Sequence, residues 1–504
     1  MEPSKTRKPL VNWVLFFSTI IVVFFLGLLV SSITTRKAER EYVYKPKVKI
    51  TDWEPRNAVW GENFQREYQT YLQTRDTTFR SKFNGSAMID ELAEDPRMVV
   101  LYAGYAFSKE YKQSRGHYFA INDIRNTLRT GAPKAPDDGP QPNTCWTCKS
   151  PDVPRLMMDQ GVLSFYKGKW ASLGDQIVNY IGCVDCHDPV TMDLRISRPA
   201  LVEAFKAMGK DITKSTHQEM RSQVCAQCHV EYFFDKHQKN AEGVAYLTFP
   251  WKYGTTADSA LKYFDEIKFS DFTQQLSKAP ILKAQHPDYE IFLTGIHSDR
   301  GVACADCHMP YVKEGGQKFT SHRIVSPLAN ISGTCQTCHR ESEESLCENV
   351  YERQEKVKEI RDKLEIELVK AHVEAKAAWD AGSSDRDMEA ALNKIRRGQW
   401  YWDYAAASHG ASFHSPIEVT RIIGNGMHET QDARVLLARL LAKLGKNNEV
   451  PYPDIATKDK AQKFIGFNMN QLRKEKEEFL KTIVAGWDKS SKEREDKWKV
   501  VVMN

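Results

Sequence analysis

Cys145-Trp146-Thr147-Cys148-Lys149 departs by one residue from a pattern that the chain repeats four more times. Two cysteines separated by two residues and followed by histidine form the attachment motif of a c-type haem. The thiols become thioethers and the imidazole binds iron. Histidine holds the fifth place in Cys183-Val184-Asp185-Cys186-His187, Cys225-Ala226-Gln227-Cys228-His229, Cys304-Ala305-Asp306-Cys307-His308 and Cys335-Gln336-Thr337-Cys338-His339. Ten of the eleven cysteines are thereby used, and only Cys347 is left over. A single pair at this spacing would also suit zinc or a thiol-disulfide couple. Zinc sites of this kind take two pairs per metal. An odd number of pairs, four of them with an adjacent histidine, therefore points to five covalently bound haem c groups.

Lysine in place of histidine leaves two readings. An ammonium has no lone pair, so Lys149 binds iron only as the neutral amine, in a desolvated site where the metal competes with the proton. The alternative is an ordinary lysine beside a haem whose ligand comes from elsewhere. Ligation is the favoured reading, because Lys149 sits where histidine sits in the other four motifs.

Fourteen histidines less the four in motifs leave ten: His117, His217, His237, His286, His297, His322, His372, His409, His414 and His428. Four bis-histidine haems would use four of these as distal ligands. No distal ligand is required at the lysine haem, and an open iron position there is where a small molecule would bind.

Upstream, Leu10 to Val30 (LVNWVLFFSTIIVVFFLGLLV) is a largely apolar run long enough to span a bilayer as a helix, preceded by Lys5, Arg7 and Lys8. A cleaved signal shares the charged start but has a shorter apolar middle and a small-residue cleavage site, which is not clear here. Residues 1–40 are read as an N-terminal membrane anchor in preference to a cleaved signal segment. Arg36, Lys37 and Arg40 follow the run, so charge bias does not orient it. Haem attachment places the body outside the cytoplasm, on the periplasmic face. Positions 1–40 hold six of the 71 basic and two of the 66 acidic residues, leaving 65 against 64. A nearly neutral body gives no support to a nucleic-acid partner.

The Pro- and Gly-rich stretch Gly131 to Asn143 reads as a loop delivering the chain to the first motif. The motifs occupy 145–339 at irregular intervals, which argues against a tandem array. From about Glu343 the pattern becomes helical. Val350, Val357, Ile360, Leu364, Ile366 and Val373 mark a first helix ending by Gly382. Ser383-Ser384-Asp385 offers a cap for a second through Met388, Leu392, Ile395, Trp400 and Tyr404. Leu436, Leu437, Leu440, Leu441 and Leu444 mark a third, and a fourth is expected from about Lys458 to Ala485. The expected fold is mainly α with little β: a haem-packed catalytic region over 41–342 and a long-helix region over 343–504, the latter a candidate dimer interface.

These motifs resemble the pentahaem cytochrome c nitrite reductase family, which reduces nitrite to ammonium. The likeness runs from about Asp95 to Val484. It is carried by Tyr111 to Tyr118 with its Arg-Gly-His, Cys-Trp-Thr-Cys-Lys followed by Ser150-Pro151-Asp152, Cys225 to Phe233 (CAQCHVEYF), Leu282 to Pro287 (LKAQHP), Gly295-Ile296-His297 and Ala407-Ser408-His409-Gly410. Departures are the apparent anchor, where many members have a cleaved signal, and the extra Cys347. The resemblance implies a multihaem cytochrome c fold with Lys149 as proximal ligand of the active haem and Arg115, Tyr232 and His286 around its open face. It implies His117, His297, His322 and His409 as distal ligands to the third, fifth, second and fourth motifs. It further implies one calcium ion held by the Glu231 carboxylate, the Gln285 amide oxygen and the carbonyls of Tyr232 and Lys283, an all-oxygen set suited to a hard cation. A homodimer, and a multihaem quinol-oxidising or other multihaem cytochrome as electron donor, follow from the same likeness.

The chemistry gives these residue types their reasons. Passing from nitrite to ammonium takes six electrons and the cleavage of both N–O bonds with proton delivery. Arginine neutralises and orients an anion with planar paired donors. Histidine moves protons near neutral pH, and tyrosine donates a hydrogen bond. Two other classes compete: a pure electron carrier, which gives no reason for the lysine, and a multihaem enzyme acting on hydroxylamine, sulfite or a sulfur oxyanion.

Overall fold

Helical spacing of apolar residues, closed off by capping side chains, puts 58% of the chain in helices and 6% in strands. The computed structural model describes residues 8–40, 45–238, 241–314 and 317–503. The Lys5 and Arg7 charges lie outside the described residues.

Helix α1 (Lys8–Arg40) contains the apolar span Val11–Lys37, whose most apolar stretch is not buried against the rest of the protein. It is long and apolar enough to cross a membrane, as both an anchor and a signal segment are. From residue 45 to 342 no described helix exceeds ten residues. Two of these helices position the site: α2 (Ala120–Asn126) and α3 (His217–Ala226). Thr216 and Glu219 close the start of α3 as a capping box, and its last turn carries Cys225. The remaining motifs sit on single turns, at Asn143–Trp146, Cys183–Cys186, Cys304–His308 and Cys335–Thr337. One turn is all that a pair of cysteines three positions apart needs to share a face.

Beyond the motifs come α4 (Glu343–Asp380), α5 (Asp385–Ala407) and α6 (Pro416–Lys443). Ser384 and Asp387 form the capping box expected near Ser383-Ser384-Asp385, and Pro416 opens α6 at a position that needs no N–H. These three make an up-down-up bundle. Trp402 donates to Glu365 at 2.7 Å while Gln399 meets His372 at 2.6 Å, so α4 and α5 run in opposite directions. Arg397 and Lys394 of α5 bridge to Glu429 and Asp432 of α6. Gly398 and Gly426 allow the close crossing: a Cβ on either would lie 3.2 Å from the other's carbonyl oxygen. Leu364, Leu368, Ile395, Trp402, Ile422 and Leu437 are fully or almost fully buried and join one core with Val99 to Ala103, Ala279, Ile281 and Leu282. Burial of that size stabilises by about 1.5–3 kcal/mol per large side chain.

The fourth helix expected over Lys458–Ala485 is interrupted. α7 (Lys458–Phe464) stops before Gly466, whose φ of 86° is left-handed, and Asn468 caps α8 (Met469–Phe479). A π turn over Leu480–Val484 then leads into α9 (Ala485–Glu495). Phe479 and Val484 pack with Trp146 and Trp170, so this tail belongs to the motif side of the molecule. Four two-stranded antiparallel ribbons complete the fold: β1 (Val48–Lys49) with β8 (Val501–Val502), β2 (Phe233–Asp235) with β3 (Tyr246–Thr248), β4 (Phe272–Thr273) with β5 (Pro280–Ile281), and β6 (Tyr311–Glu314) with β7 (Gln317–Thr320).

Candidate active site

One branched cavity of about 2090 Å³ runs through the motif region, and all ten motif cysteines line it. Sites for a single small ligand reach about 1,000 Å³ at most, so this space fits several prosthetic groups. The motifs are close neighbours. The Cys148 thiol meets Cys228, and Cys225 meets Cys304. Cys186 faces Cys228, and Cys307 faces Cys335 and Cys338. The third motif is therefore central, touching the first, second and fourth, while the fifth lies beyond the fourth.

Four pairs of imidazoles face each other across the cavity. The ring centroids of His117 and His229 are 6.3 Å apart, His187 and His322 6.1 Å, His297 and His339 6.3 Å, and His308 and His414 6.3 Å. Two metal–nitrogen bonds of about 2 Å each, plus the part of each ring behind its nitrogen, sum to about 6 Å. The spacing thus fits one metal between each pair. Several rings are also fixed from behind, as metal-bound histidines are. Nδ1 of His187 lies 2.9 Å from the Met192 carbonyl, that of His308 3.1 Å from Val325, and that of His322 2.9 Å from Thr320. His229 Nδ1 is 3.5 Å from Asp288, whose carboxylate also accepts from Ser408 Oγ at 2.6 Å.

The placement of His409 opposite the fourth motif is corrected. His414, at the end of the one-turn helix Ala411–His414, occupies that place, while His409 sits beside His286, Asp288 and Glu91. His409-Gly-Ala-Ser-Phe-His414 offers two histidines five residues apart. A single turn between them puts the second, not the first, against His308.

The first motif differs from the rest. Trp146, between its cysteines, is fully buried, stacks on Trp170 at 4.8 Å and donates to the Trp170 carbonyl at 2.9 Å. Ser150 donates to the Asn179 carbonyl at 2.6 Å, and Asp152 accepts the Val178 and Asn179 N–H groups at 2.9 Å. These contacts fix the segment that carries Lys149. Lys149, Arg115, Tyr232, Gln285 and His286 all line the same cavity. Burial pushes the Tyr232 phenol well above its usual range, with Cys148 and Cys145 adding to the effect. Burial holds His286 well below the usual imidazole range. Arg115 is engaged by Asp123, a partner that residue types alone did not reveal; the pair meets at 2.6 Å.

The four residues assigned to a cation also come together. Gln285 N–H donates to Glu231 Oε2 at 2.6 Å, and Gln285 Nε2 donates to the Lys283 carbonyl at 3.1 Å. Glu231 is 1% exposed, and burial pushes its carboxyl well above the carboxylate range. The Lys283 ammonium pairs with Asp403 at 2.9 Å, and the Lys283 carbonyl faces the Gln285 amide. A buried carboxylate beside a carbonyl and an amide fits a hard cation, which would remove the desolvation cost.

Cys347 lies in the first turns of α4 beside Tyr351. No disulfide forms among the described residues.

The sequence profile of the cytochrome c552 family matches residues 56–497. A cytochrome c-552 from Porphyromonas gingivalis is 57% identical over 483 residues, covering 95% of this chain and 96% of that protein. One from Aliarcobacter butzleri is 44% identical, covering 95% of each. Among solved structures, the catalytic subunit of cytochrome c nitrite reductase from Desulfovibrio desulfuricans, which has two calcium sites, superposes with a TM-score of 0.73 at 29% identity. That match covers 84% of this chain and 91% of that one. The family likeness carried by the motifs is borne out, and the chain belongs to the cytochrome c552 family of multihaem oxidoreductases.

Proposed function

We propose that the protein reduces nitrite to ammonium by six electrons at the Lys149 motif, supplied through the other four motifs. The observation that carries this reading is an asymmetry. Four motifs have their imidazole matched by a second one about 6 Å away, whereas the first has lysine, with His286 near Lys149, Tyr232 near Cys148 and Cys145, and Arg115 lining the same cavity. The solved nitrite reductase of the same fold supports it.

Haem c would supply the redox chemistry: His117 with His229, His187 with His322, His297 with His339 and His308 with His414 would hold four groups, and Lys149 would hold the one attached to the first motif. The chain's own residues do the rest. Arg115 binds and orients the anion through its guanidinium. The buried Tyr232 phenol stays protonated and donates a hydrogen bond to the substrate oxygen. His286, held neutral by burial, accepts and passes protons at its ring nitrogens. Glu231, Gln285 and the carbonyls of Tyr232 and Lys283 would hold calcium, whose charge fixes the loop carrying His286 and favours an anion nearby. The calcium sites of the solved relative support this assignment.

The same reading places the body on the periplasmic face and makes α1 its membrane anchor. Electrons come from a multihaem quinol-oxidising cytochrome or another multihaem cytochrome. Residues 343–504 serve a homodimer through the exposed faces of α4 to α6.

Lys149→His tests the role of the lysine. The variant is expected to retain five haems by pyridine haemochrome absorbance while nitrite turnover falls at least tenfold. Unchanged turnover would sink the special part given to Lys149.

A further inference from the structure

Arg115 and Asp123 form a built arrangement on the cavity wall that the chemistry described so far leaves unused. Asp123 Oδ1 accepts from Arg115 Nε at 3.0 Å and from Nη2 at 2.6 Å, while Asp123 Oδ2 accepts the Arg115 backbone N–H at 3.2 Å. Three donors of one residue thus converge on a single carboxylate. The guanidinium also lies over the Phe119 ring, 4.1 Å from its centroid. Gly116, at a φ of 101°, turns the chain between Arg115 and His117, and α2 then brings Asp123 back against the arginine. Both side chains are partly buried, 24% and 16% exposed, and both line the cavity.

A guanidinium has two edges on which it makes paired hydrogen bonds. Here Asp123 takes Nε and Nη2, Phe119 covers a face, and no hydrogen bond to Nη1 forms among the described residues. An arginine free to rotate would have to be ordered at the moment an anion binds, at a cost in affinity of roughly three- to tenfold for one long side chain. The carboxylate meets that cost in advance, while its charge tempers the attraction of the site for anions in general.

We propose that Asp123 is a positioning residue: it locks Arg115 by one edge so that Nη1 is presented to an anionic substrate. The proposal rests on the reading of Arg115 as the partner of nitrite, and it acts entirely through that residue.

The test is equilibrium binding of nitrite and of hydroxylamine, which is uncharged at neutral pH, to the haem-loaded protein, followed by the haem absorbance. Asp123→Ala is expected to weaken nitrite binding roughly three- to tenfold, the factor that corresponds to ordering one long side chain. Hydroxylamine binding stays within twofold. In an Arg115→Ala background the same change adds nothing, and Asp123→Glu recovers most of the loss. Asp123→Ser, whose hydroxyl is too short to reach the guanidinium, serves if the alanine variant does not accumulate, with the same expectation. Unchanged or tighter nitrite binding in Asp123→Ala, an equal loss for hydroxylamine, or a loss that persists without Arg115 overturns the proposal. If Arg115→Ala alone leaves nitrite affinity unchanged, the assignment of Arg115 itself fails and this proposal falls with it.

Discussion

The two halves of this molecule reach a folded state by different means. Between residues 45 and 342 the described helices are ten residues or shorter, and the chain wraps a cavity of about 2090 Å³ with ten cysteines on its walls. From Glu343 to Lys443 three helices of 38, 23 and 28 residues pack on one another with buried leucines, isoleucines and tryptophans. The first half surrounds its cavity with a side-chain core of its own, Trp146, Phe165, Trp170 and Trp251 among it, whereas the bundle, among the described residues, encloses no such space and shares a continuous side-chain core with Val99 to Ala103. Short elements suffice where covalent links and metal bonds fix the chain, because each attachment contributes folding free energy.

Withholding the haem should separate the halves most strongly. Protein made without covalent haem attachment is expected to lose hydrogen-exchange protection throughout residues 45–342 while amides of α4 to α6 remain protected. Uniform protection, or uniform loss, would erase the distinction. Within the bundle, Leu364→Ala should cost about 2–5 kcal/mol by denaturant unfolding, since Leu364 is fully buried against α6 at Gly426, and should leave all haem absorbance bands unchanged. A spectral change of the haems in that variant would show the halves to be one cooperative core.

A smaller effect, also confined to the bundle, is pH-dependent. His372 is fully buried between Ser277 Oγ at 2.9 Å and Gln399 at 2.6 Å, and burial holds it down to about 4 from an ordinary 6.5. The unfolded chain therefore takes up a proton that the folded chain refuses between about pH 6.5 and 4. Stability from this residue is full above 6.5 and is lost as pH falls through that window, amounting to about 3 kcal/mol at most. His372→Gln should flatten the unfolding free energy across pH 4–6.5; an unaltered slope would place the titration elsewhere.

The distal ligands sharpen the comparison on the motif side. His414→Ala is expected to convert one low-spin haem to high-spin by electron paramagnetic resonance, and His409→Ala to convert none. The reverse result would restore His409 to the fourth motif.

How much of this was legible beforehand follows from range. The motifs are local, so the five attachment sites stand out from spacing alone, and the long amphipathic helices of the bundle show in their periodicity. The choice between His409 and His414 is not local: it depends on how one turn of helix and the loop after α5 approach the fourth motif. Asp123 was invisible for the same reason, since an aspartate eight residues from an arginine has no signature until a turn at Gly116 and the helix α2 bring them together. The break at Gly466 was there to be read, and the apolar positions on either side of it masked it.

The account stands most directly on what the reaction makes. Purified, haem-loaded protein given limiting nitrite and a reduced viologen donor should yield ammonium equal to the nitrite lost, at six electrons each. Nitric oxide as the end product, or no turnover, would contradict the assignment of the Lys149 motif as the site of nitrite reduction.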